Sequence, residues 1–325
     1  MSTDAVLISS FTFATMQINR HVALFVLLFG TVGNLLNIWV LSEHSLSDNP
    51  CSTYLWWSSL SSAIFIWSGT LTRVLQGYNL NWPNTNQPVC KTRLFILTTC
   101  FSVAVWTLVG ASSDRYLRSS ALVKFRNFST VQTARRILII IITGSVLVFL
   151  EVFYCYEASV PNVPVACYPQ SLPCRLYNDW MLILFTTVIP SCFMAVFGSL
   201  TIRNIRTRVV QPVMHVEFRN NTANQNVRLR LNDRNINHML LIQVLVVLLM
   251  NLPVTIHRLY ASLTANFSKT ALRVAIENLI YSLVVLFSFF SYSISFYLYI
   301  LTGSIYRAAL KRVGRRLLRR IGLLH

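Results

Sequence analysis

The chain has 325 residues, of which 54% are hydrophobic and only 12% are charged. Soluble domains usually carry about 25% charged residues, so this composition argues against a soluble enzyme, a disordered protein and a nucleic-acid-binding module. The charge is strongly basic, with 28 Lys and Arg against 10 Asp and Glu. In so apolar a chain, a basic excess indicates membrane topology rather than a nucleic-acid partner.

Several segments reach the roughly 20 apolar residues that a membrane-spanning helix needs. The second span is rich in Ser and Trp and the third is partly polar, so these two rest partly on the pattern of the others. The first span lacks the basic start and cleavage site of a signal peptide. We predict an all-α membrane protein, a bundle of seven transmembrane helices at His21–Ser42, Thr53–Leu75, Val89–Ser113, Arg136–Tyr156, Trp180–Ile202, His238–Tyr260 and Leu272–Leu301.

The basic residues orient this bundle. Twenty of the 28 Lys and Arg residues fall in the second and third inner loops and the tail, if the N-terminus is outside. Basic residues are retained on the cytoplasmic side of a membrane. We therefore predict a plasma-membrane protein with an extracellular N-terminus of residues 1–20, a receptor domain of residues 21–302 and a cytoplasmic tail of residues 303–325.

The tail is predicted to form a short amphipathic eighth helix. Between Ser304 and Ile321, seven basic residues interleave with an apolar stripe. Such a helix lies on the anionic lipid of the inner leaflet. Membrane lipid is therefore a predicted partner, and the stripe comprises Ile305, Ala309, Val313, Leu317 and Leu318.

Asp114-Arg115-Tyr116 ends the third span, and Cys90 lies 25 residues before Arg115. At about 1.5 Å per residue this separation is about 37 Å, a full bilayer crossing. In this pairing of motif and cysteine the chain resembles the rhodopsin-like (class A) G-protein-coupled receptors, from about Gly30 to Arg320. The resemblance implies a receptor, not an enzyme, that binds an extracellular ligand and activates heterotrimeric G proteins without a cofactor.

Further residues match the family's pattern. Gly33-Asn34 resembles its Gly-Asn pair, in which the Asn links neighbouring helices. Pro190 and Pro253 stand where the family kinks its fifth and sixth helices. In the place of the family's Asn-Pro-x-x-Tyr the chain has Ser295–Tyr299, and only Tyr299 is retained.

The chain also departs from the family at two sites. Ser62 and Ser295 stand where an Asp and an Asn usually help to hold sodium, so no metal site is predicted. Met250-Asn251-Leu252-Pro253 replaces Cys-Trp-x-Pro in the sixth span. The family's aromatic switch is therefore missing, and activation is expected to use other contacts.

The resemblance implies a switch at the cytoplasmic end. We expect Arg115 to pair with Asp114 and with Asp233, which lies at the inner end of the sixth span. These pairs would hold the third and sixth helices together in the resting state. The alternative is that Asp233 is a solvated loop charge beside Arg234.

The resemblance also implies a disulfide from Cys90 to the second outer loop. Cys167 is favoured because it lies in a β-branched run, Val163–Tyr168, that suits the family's hairpin. Cys174 is the alternative, and Cys155 is a candidate partner for the remaining loop cysteine. Asn266 begins a glycosylation sequon on the third outer loop.

The ligand is constrained mainly by exclusion. The seventh span has no Lys for a retinal Schiff base, and no acid lies between Cys90 and Asp114 to hold an amine. Outer polar groups of both charge signs favour a peptide, and the ending Ser295–Tyr299 resembles that of FMRFamide-like neuropeptide receptors. The candidate ligand contacts are Trp67, Leu97, His257, Arg258 and Tyr281.

Two other functions stay open at this point. A chemosensory receptor for small molecules fits the missing consensus residues. A transporter or channel would be expected to carry acids along an intramembrane pathway, and only Glu151 lies within a span interior.

Overall fold

The computed structural model describes residues 3–159, 167–210, 220–264 and 267–320. It contains the predicted all-α bundle of seven long helices, followed by a shorter eighth. Three short helical turns, His44–Ser47, Trp82–Thr85 and Val123–Phe128, lie in the connections. The long helices are α1 (Thr3–Leu41), α2 (Pro50–Gly77), α3 (Gln87–Ser119), α4 (Val131–Cys155), α5 (Leu172 to Val210), α6 (Asn220–Leu263), α7 (Ala271–Ser293, resuming as Ser295–Thr302) and α8 (Ser304–Arg320).

Six of these helices are long and apolar enough to span a bilayer. The seventh spanning helix, α2, is 28 residues long but less apolar, as its Ser-rich sequence predicts. Its serines face the other helices: Ser58, Ser59, Ser61 and Ser62 are all buried. Small polar residues allow helix backbones to approach closely in membranes, so α2 owes its low hydropathy to its packing face.

Helix α1 is longer than the predicted first span. It begins at Thr3 and passes through a π-helical turn at Ile18–Val22. Arg20 in this turn donates to the carbonyl oxygen of Gly77 at 2.9 Å. Gly77 ends α2 on the side that the predicted orientation makes outer, and inner and outer are used below in this sense. Residues 3–20 therefore continue the first span as a helix that packs against α7, and their extracellular location stays a prediction.

Helix α3 lies at the centre of the bundle and packs against α2, α4, α5 and α6. Ser102 shares a hydrogen bond of 2.8 Å with Ser145 of α4. The Trp106 indole donates to the carbonyl of Phe185 in α5 at 3.0 Å. A Cβ on Gly110 would lie 2.7 Å from the Tyr54 ring of α2, so only glycine permits this approach.

Two helices are irregular near or without a proline, in addition to the π-helical turn of α1. Pro190 lies two residues after a π-helical turn, Leu182–Val188, whereas Pro253 lies within the continuous helix α6. Proline lacks the N–H that a regular helix needs, which leads to kinks and π-turns. Helix α7 is interrupted at Ile294 even though no proline stands there.

Candidate functional site

The inner end of α3 carries a buried ion pair. An Nη of Arg115 lies 2.8 Å from the Asp114 carboxylate, and both side chains are at most 5% exposed. The second carboxylate oxygen of Asp114 accepts from the Ser129 hydroxyl at 2.5 Å. Arg115 also donates to the Asn49 amide oxygen at 2.8 Å. Since unpaired charges are costly in a bilayer, these partners hold both charged groups in place.

Asn49 was not predicted as a functional residue. It caps α2 by accepting from the backbone N–H of Cys51, and it also receives hydrogen bonds from Arg115 and Arg118. Asn directly before Pro50 is a recognisable N-cap pattern, but the sequence does not show that an Arg 66 residues away shares its oxygen.

The third residue of the motif, Tyr116, is half-buried and stacks on Phe197 of α5 with ring centroids 5.9 Å apart. Beside it, a small pocket between α3, α5 and α6 is lined by Arg115, Met194 and Leu240. Asp233 belongs to α6, but its side chain lies outside the described residues. Its contact with Arg115 therefore stays a prediction.

Tyr299 lies in a network of hydrogen bonds and ring contacts that crosses the inner half of the bundle. Its buried hydroxyl donates to the amide oxygen of Gln243 in α6, and the Gln243 nitrogen donates to Ser295 at 3.2 Å. The Tyr299 ring contacts Tyr306, whose hydroxyl donates to Asn37 at 2.5 Å. Helices α1, α6, α7 and α8 are thus linked.

Gln243 and Asn37, which belong to this network, were not predicted as functional residues from the sequence. Gln243 is an amide within an apolar run, which is a signal for an interhelical bond. The register between α6 and α7 decides its partner, and the sequence does not give that register.

The predicted role of Asn34 is confirmed. Its amide nitrogen donates to the carbonyl oxygens of Gly30 and, across to α7, Tyr292, at 2.9 and 3.1 Å. This bond ties α1 to α7 just before the interruption at Ile294.

Asn251 occupies the place of the family's tryptophan in α6. It is 4% exposed, and its amide oxygen accepts from Ser288 of α7 at 2.6 Å. Its amide nitrogen donates to the backbone of Val247 at 2.7 Å and contacts Ser291 at 3.4 Å. A polar link between α6 and α7 therefore replaces an aromatic contact.

Two disulfides fasten the outer end. Cys90 pairs with Cys167, with Cα atoms 5.7 Å apart, which confirms the favoured partner over Cys174. Cys174 pairs with Cys155, joining the end of α4 to the start of α5. Between them, β1 (Tyr156–Glu157) pairs with β2 (Tyr168–Pro169) as an antiparallel hairpin.

The hairpin presents two tyrosines. The Tyr156 hydroxyl donates to Asn178 at 2.9 Å, and the Tyr168 ring lies under the Arg175 guanidinium, 5.6 Å from its centroid. Burial raises the pKa of both phenols, so both hydroxyls stay protonated at neutral pH.

The predicted ligand contacts separate into two groups. His257 and Tyr281 face each other from α6 and α7, with ring centroids 5.4 Å apart, and Arg258 pairs with Asp179 of α5 at 3.2 Å. Leu97 packs into the interface of α3 with α2. Trp67 is 48% exposed on α2, where Ile64 is exposed as well, and its role as a ligand contact stays a prediction.

Two further predictions concern a glycosylation site and a metal site. Asn266 lies outside the described residues. In the described part of the chain, no three His, Cys, Asp or Glu residues come together as metal ligands, and Ser62 is buried at 2% exposure where an acid would be needed for sodium.

Taken together, seven long helices, an ion-paired Asp-Arg-Tyr at the inner end of α3 and a disulfide from its outer end define a multi-pass membrane receptor. The sequence profile described as 7 transmembrane receptor (rhodopsin family) matches residues 33–299. The chain belongs to this family, whose members are receptors rather than enzymes. No individually curated protein matches the chain.

Proposed function

We propose that this protein is a plasma-membrane receptor that binds an extracellular peptide and activates a heterotrimeric G protein. The observation that carries the proposal is the buried pair of Asp114 and Arg115 beside a pocket between α3, α5 and α6. A charged arginine at this depth is retained where a function requires it. Release of Arg115 would give that pocket a cation for a partner that enters from the cytoplasm.

The mechanism is a shift between two conformations. In the resting state, Asp114, Asn49 and Ser129 hold the inner end of α3, and Gln243 ties α6 to Tyr299 of α7. A ligand that binds the open state better shifts the population toward it. Outward movement of α6 then admits the G protein and promotes exchange of its bound nucleotide. The receptor itself makes and breaks no covalent bond.

Asp233 gives this switch a second acid. On α6, it would pair with Arg115 only in the closed state. Asp233→Asn is therefore expected to raise ligand-independent signalling, measured as second-messenger level at matched surface expression. An unchanged basal level would remove Asp233 from the mechanism.

The outer end supports a peptide ligand over a lipid. Ion pairs of Asp179 with Arg258 and of Glu277 with Lys269 connect α5, α6 and α7 with the third outer loop at this end. Groups of both charge signs suit the termini and amides of a peptide. A small-molecule chemosensory receptor is the second candidate, favoured by the loss of the usual switch residues.

Orientation with the N-terminus outside is part of the proposal. It places the basic residues of α8 at the inner leaflet, where Arg316 also pairs with the buried Glu43 at 2.9 Å. It also places Asn266 outside, where glycosylation occurs.

The proposal is tested by a peptide-library screen in cells that co-express a promiscuous G protein, with a calcium readout. We expect an active peptide whose response is abolished by Arg115→Ala and retained by Arg126→Ala, an exposed inner-loop control with the same loss of charge. Substrate uptake or currents without any G-protein response would contradict the proposal and favour a transporter or channel.

A further inference from the structure

The eight cations on the outer side differ in whether they pair with a carboxylate, bind a backbone carbonyl or do neither. Arg175 and Arg258 share Asp179, while Lys269 and Arg273 share Glu277. Lys91 donates to the backbone of Phe153, and Arg20 to that of Gly77. The two that remain, Arg73 of α2 and Arg93 of α3, form no ion pair with a carboxylate in the described part of the chain.

The outer segments outside the described ranges supply no acid either. Residues 1–2, 160–166 and 265–266 contain neither Asp nor Glu. The remaining outer acids are Asp4 and Glu157, which are exposed, and Glu151, which accepts from Asn178 at 2.8 Å. None of these acids is paired with Arg73 or Arg93 in the part of the chain that the structure describes.

These two arginines lie near the outer ends of two helices that pack against each other, α2 and α3. Arg73 and Arg93 are each half-buried, and with no carboxylate beside them their like charges repel, with Arg258 adding to the repulsion on Arg73. Arg73 lies over the Tyr281 ring, 5.2 Å from its centroid. A ring face offsets only part of a desolvated positive charge, so an anion is the missing partner.

Unused hydrogen-bond donors surround the same place. Arg93 donates to the Asn84 amide oxygen at 2.9 Å, but its buried Nε has no partner among the described residues. Both ring nitrogens of His257, which faces Tyr281, also have no hydrogen-bond partner in the described ranges. Helices α2, α3, α6 and α7 thus contribute to a region in which Arg73 and Arg93 have no carboxylate partner among the described residues.

We propose that Arg73 and Arg93 form an anion-binding pair that receives a carboxylate of the peptide ligand, an inference that rests on the proposed function. Arginine forks match carboxylates with two parallel hydrogen bonds. The carboxylate belongs either to the free C-terminus of the peptide or to an Asp or Glu side chain. On binding it relieves the repulsion between the two guanidinium groups and draws α2 and α3 together at their outer ends.

The test uses three pools of short synthetic peptides on cells expressing the tagged receptor with a calcium readout. The first pool has free C-terminal carboxylates and no Asp or Glu. The second is its C-terminally amidated counterpart, and the third is amidated but contains one Asp or Glu per peptide. Activation by the first pool assigns the carboxylate to the C-terminus, and activation by the third assigns it to a side chain; either result requires an inactive second pool.

Charge variants connect this response to the two arginines. Arg73→Gln and Arg93→Gln are expected to weaken the response to the active acidic pool by about tenfold to hundredfold. Arg93→Lys, which keeps the charge, should retain more of it than Arg93→Gln, and Arg273→Gln on the outer end of α7 should leave it unchanged. Surface staining of the tag is matched for every variant, so that misfolding is not scored as lost binding.

The experiment distinguishes failure of the anion-binding pair from failure of the proposed peptide ligand. If the neutral amidated pool activates as strongly as the acidic pools, or if the Gln variants respond like wild type, the anion-binding pair is wrong while the peptide receptor stands. If no pool activates the surface-expressed receptor, the peptide assignment is wrong and the pair assigned to it falls as well.

Discussion

At the residue scale, buried polar side chains replace the family's usual switch. Asn251 bonds to Ser288 across the interface of α6 and α7, and Gln243 bonds to Tyr299 and Ser295 further inward. Interhelical hydrogen bonds in membranes contribute about 0.6 kcal/mol each on average. Under the proposed mechanism, two such links would bias α6 toward the closed position without a large aromatic side chain.

Asn251→Leu is therefore expected to lower the free energy of unfolding by about 1 kcal/mol, because Ser288 and Ser291 lose an interhelical partner. Thermal unfolding of the purified receptor measures this as a reduced Tm. Ser288→Ala serves as the matched variant, and the double variant should lose less than the two single losses together. Fully additive losses would show that the two side chains do not act as a pair.

The contacts of a residue could be predicted from the sequence where a motif includes that residue and its neighbours. Asp114-Arg115 are adjacent in the chain, and Asn34 follows the family's pattern. Partners from distant helices, such as Asn49 for Arg115, depend on helix register, which is decided by packing. The role of Trp67 depends on packing in the same way, because a tryptophan suits contact with either a ligand or lipid, and only the rotation of α2 distinguishes them.

At the element scale, the two disulfides organise the outer ends of α3, α4 and α5. Seven is an odd number, so at least one cysteine stays outside intramolecular disulfides, and in the structure three do: Cys51, Cys100 and Cys192. Alkylation of the denatured, unreduced protein is expected to label these three, and all seven after reduction, as counted by intact mass. Five labelled thiols without reduction would mean that one disulfide does not form.

Cys155–Cys174 closes a loop with a sequence separation of 19 residues. Removing a crosslink of this length from the unfolded ensemble costs about 3 kcal/mol of stability in the chain-entropy model. The double variant Cys155→Ser/Cys174→Ser should lower Tm by several degrees, whereas Cys192→Ser, an exposed free thiol, should not. Equal Tm values for both variants would contradict a stabilising role for this disulfide.

Sequence patterns predicted the spanning helices well because bilayer thickness sets their apolar length. They were less informative where other forces act. The extension of α1 to Thr3 depends on packing against α7, and the interruption of α7 at Ile294 occurs without the proline that would reveal it. For Cys90 the resemblance implied a partner in the second outer loop, and the β-branched run around Cys167 favoured that residue over Cys174, which agrees with the disulfide observed.

At the scale of the whole molecule, the basic charge follows the topology. With the N-terminus outside, as proposed, the inner loops and tail hold 20 of the 28 cations and the outer side holds eight. An N-terminal epitope tag should be stained on intact cells, and a C-terminal tag only after permeabilisation, because the positive-inside rule retains the basic segments in the cytoplasm. The reverse staining pattern would contradict the orientation and the placement of the two sites.

The central claim is that the buried pair of Asp114 and Arg115 holds the receptor inactive toward G proteins. Its most direct test is ligand-independent nucleotide exchange by a panel of heterotrimeric G proteins with purified receptor. Asp114→Asn is predicted to raise the rate by about tenfold, equivalent to about 1.4 kcal/mol in the balance between closed and open states, while Asp48→Asn, an exposed inner-loop control, leaves it unchanged. An Asp114→Asn receptor that folds normally and exchanges no faster than wild type would contradict the account.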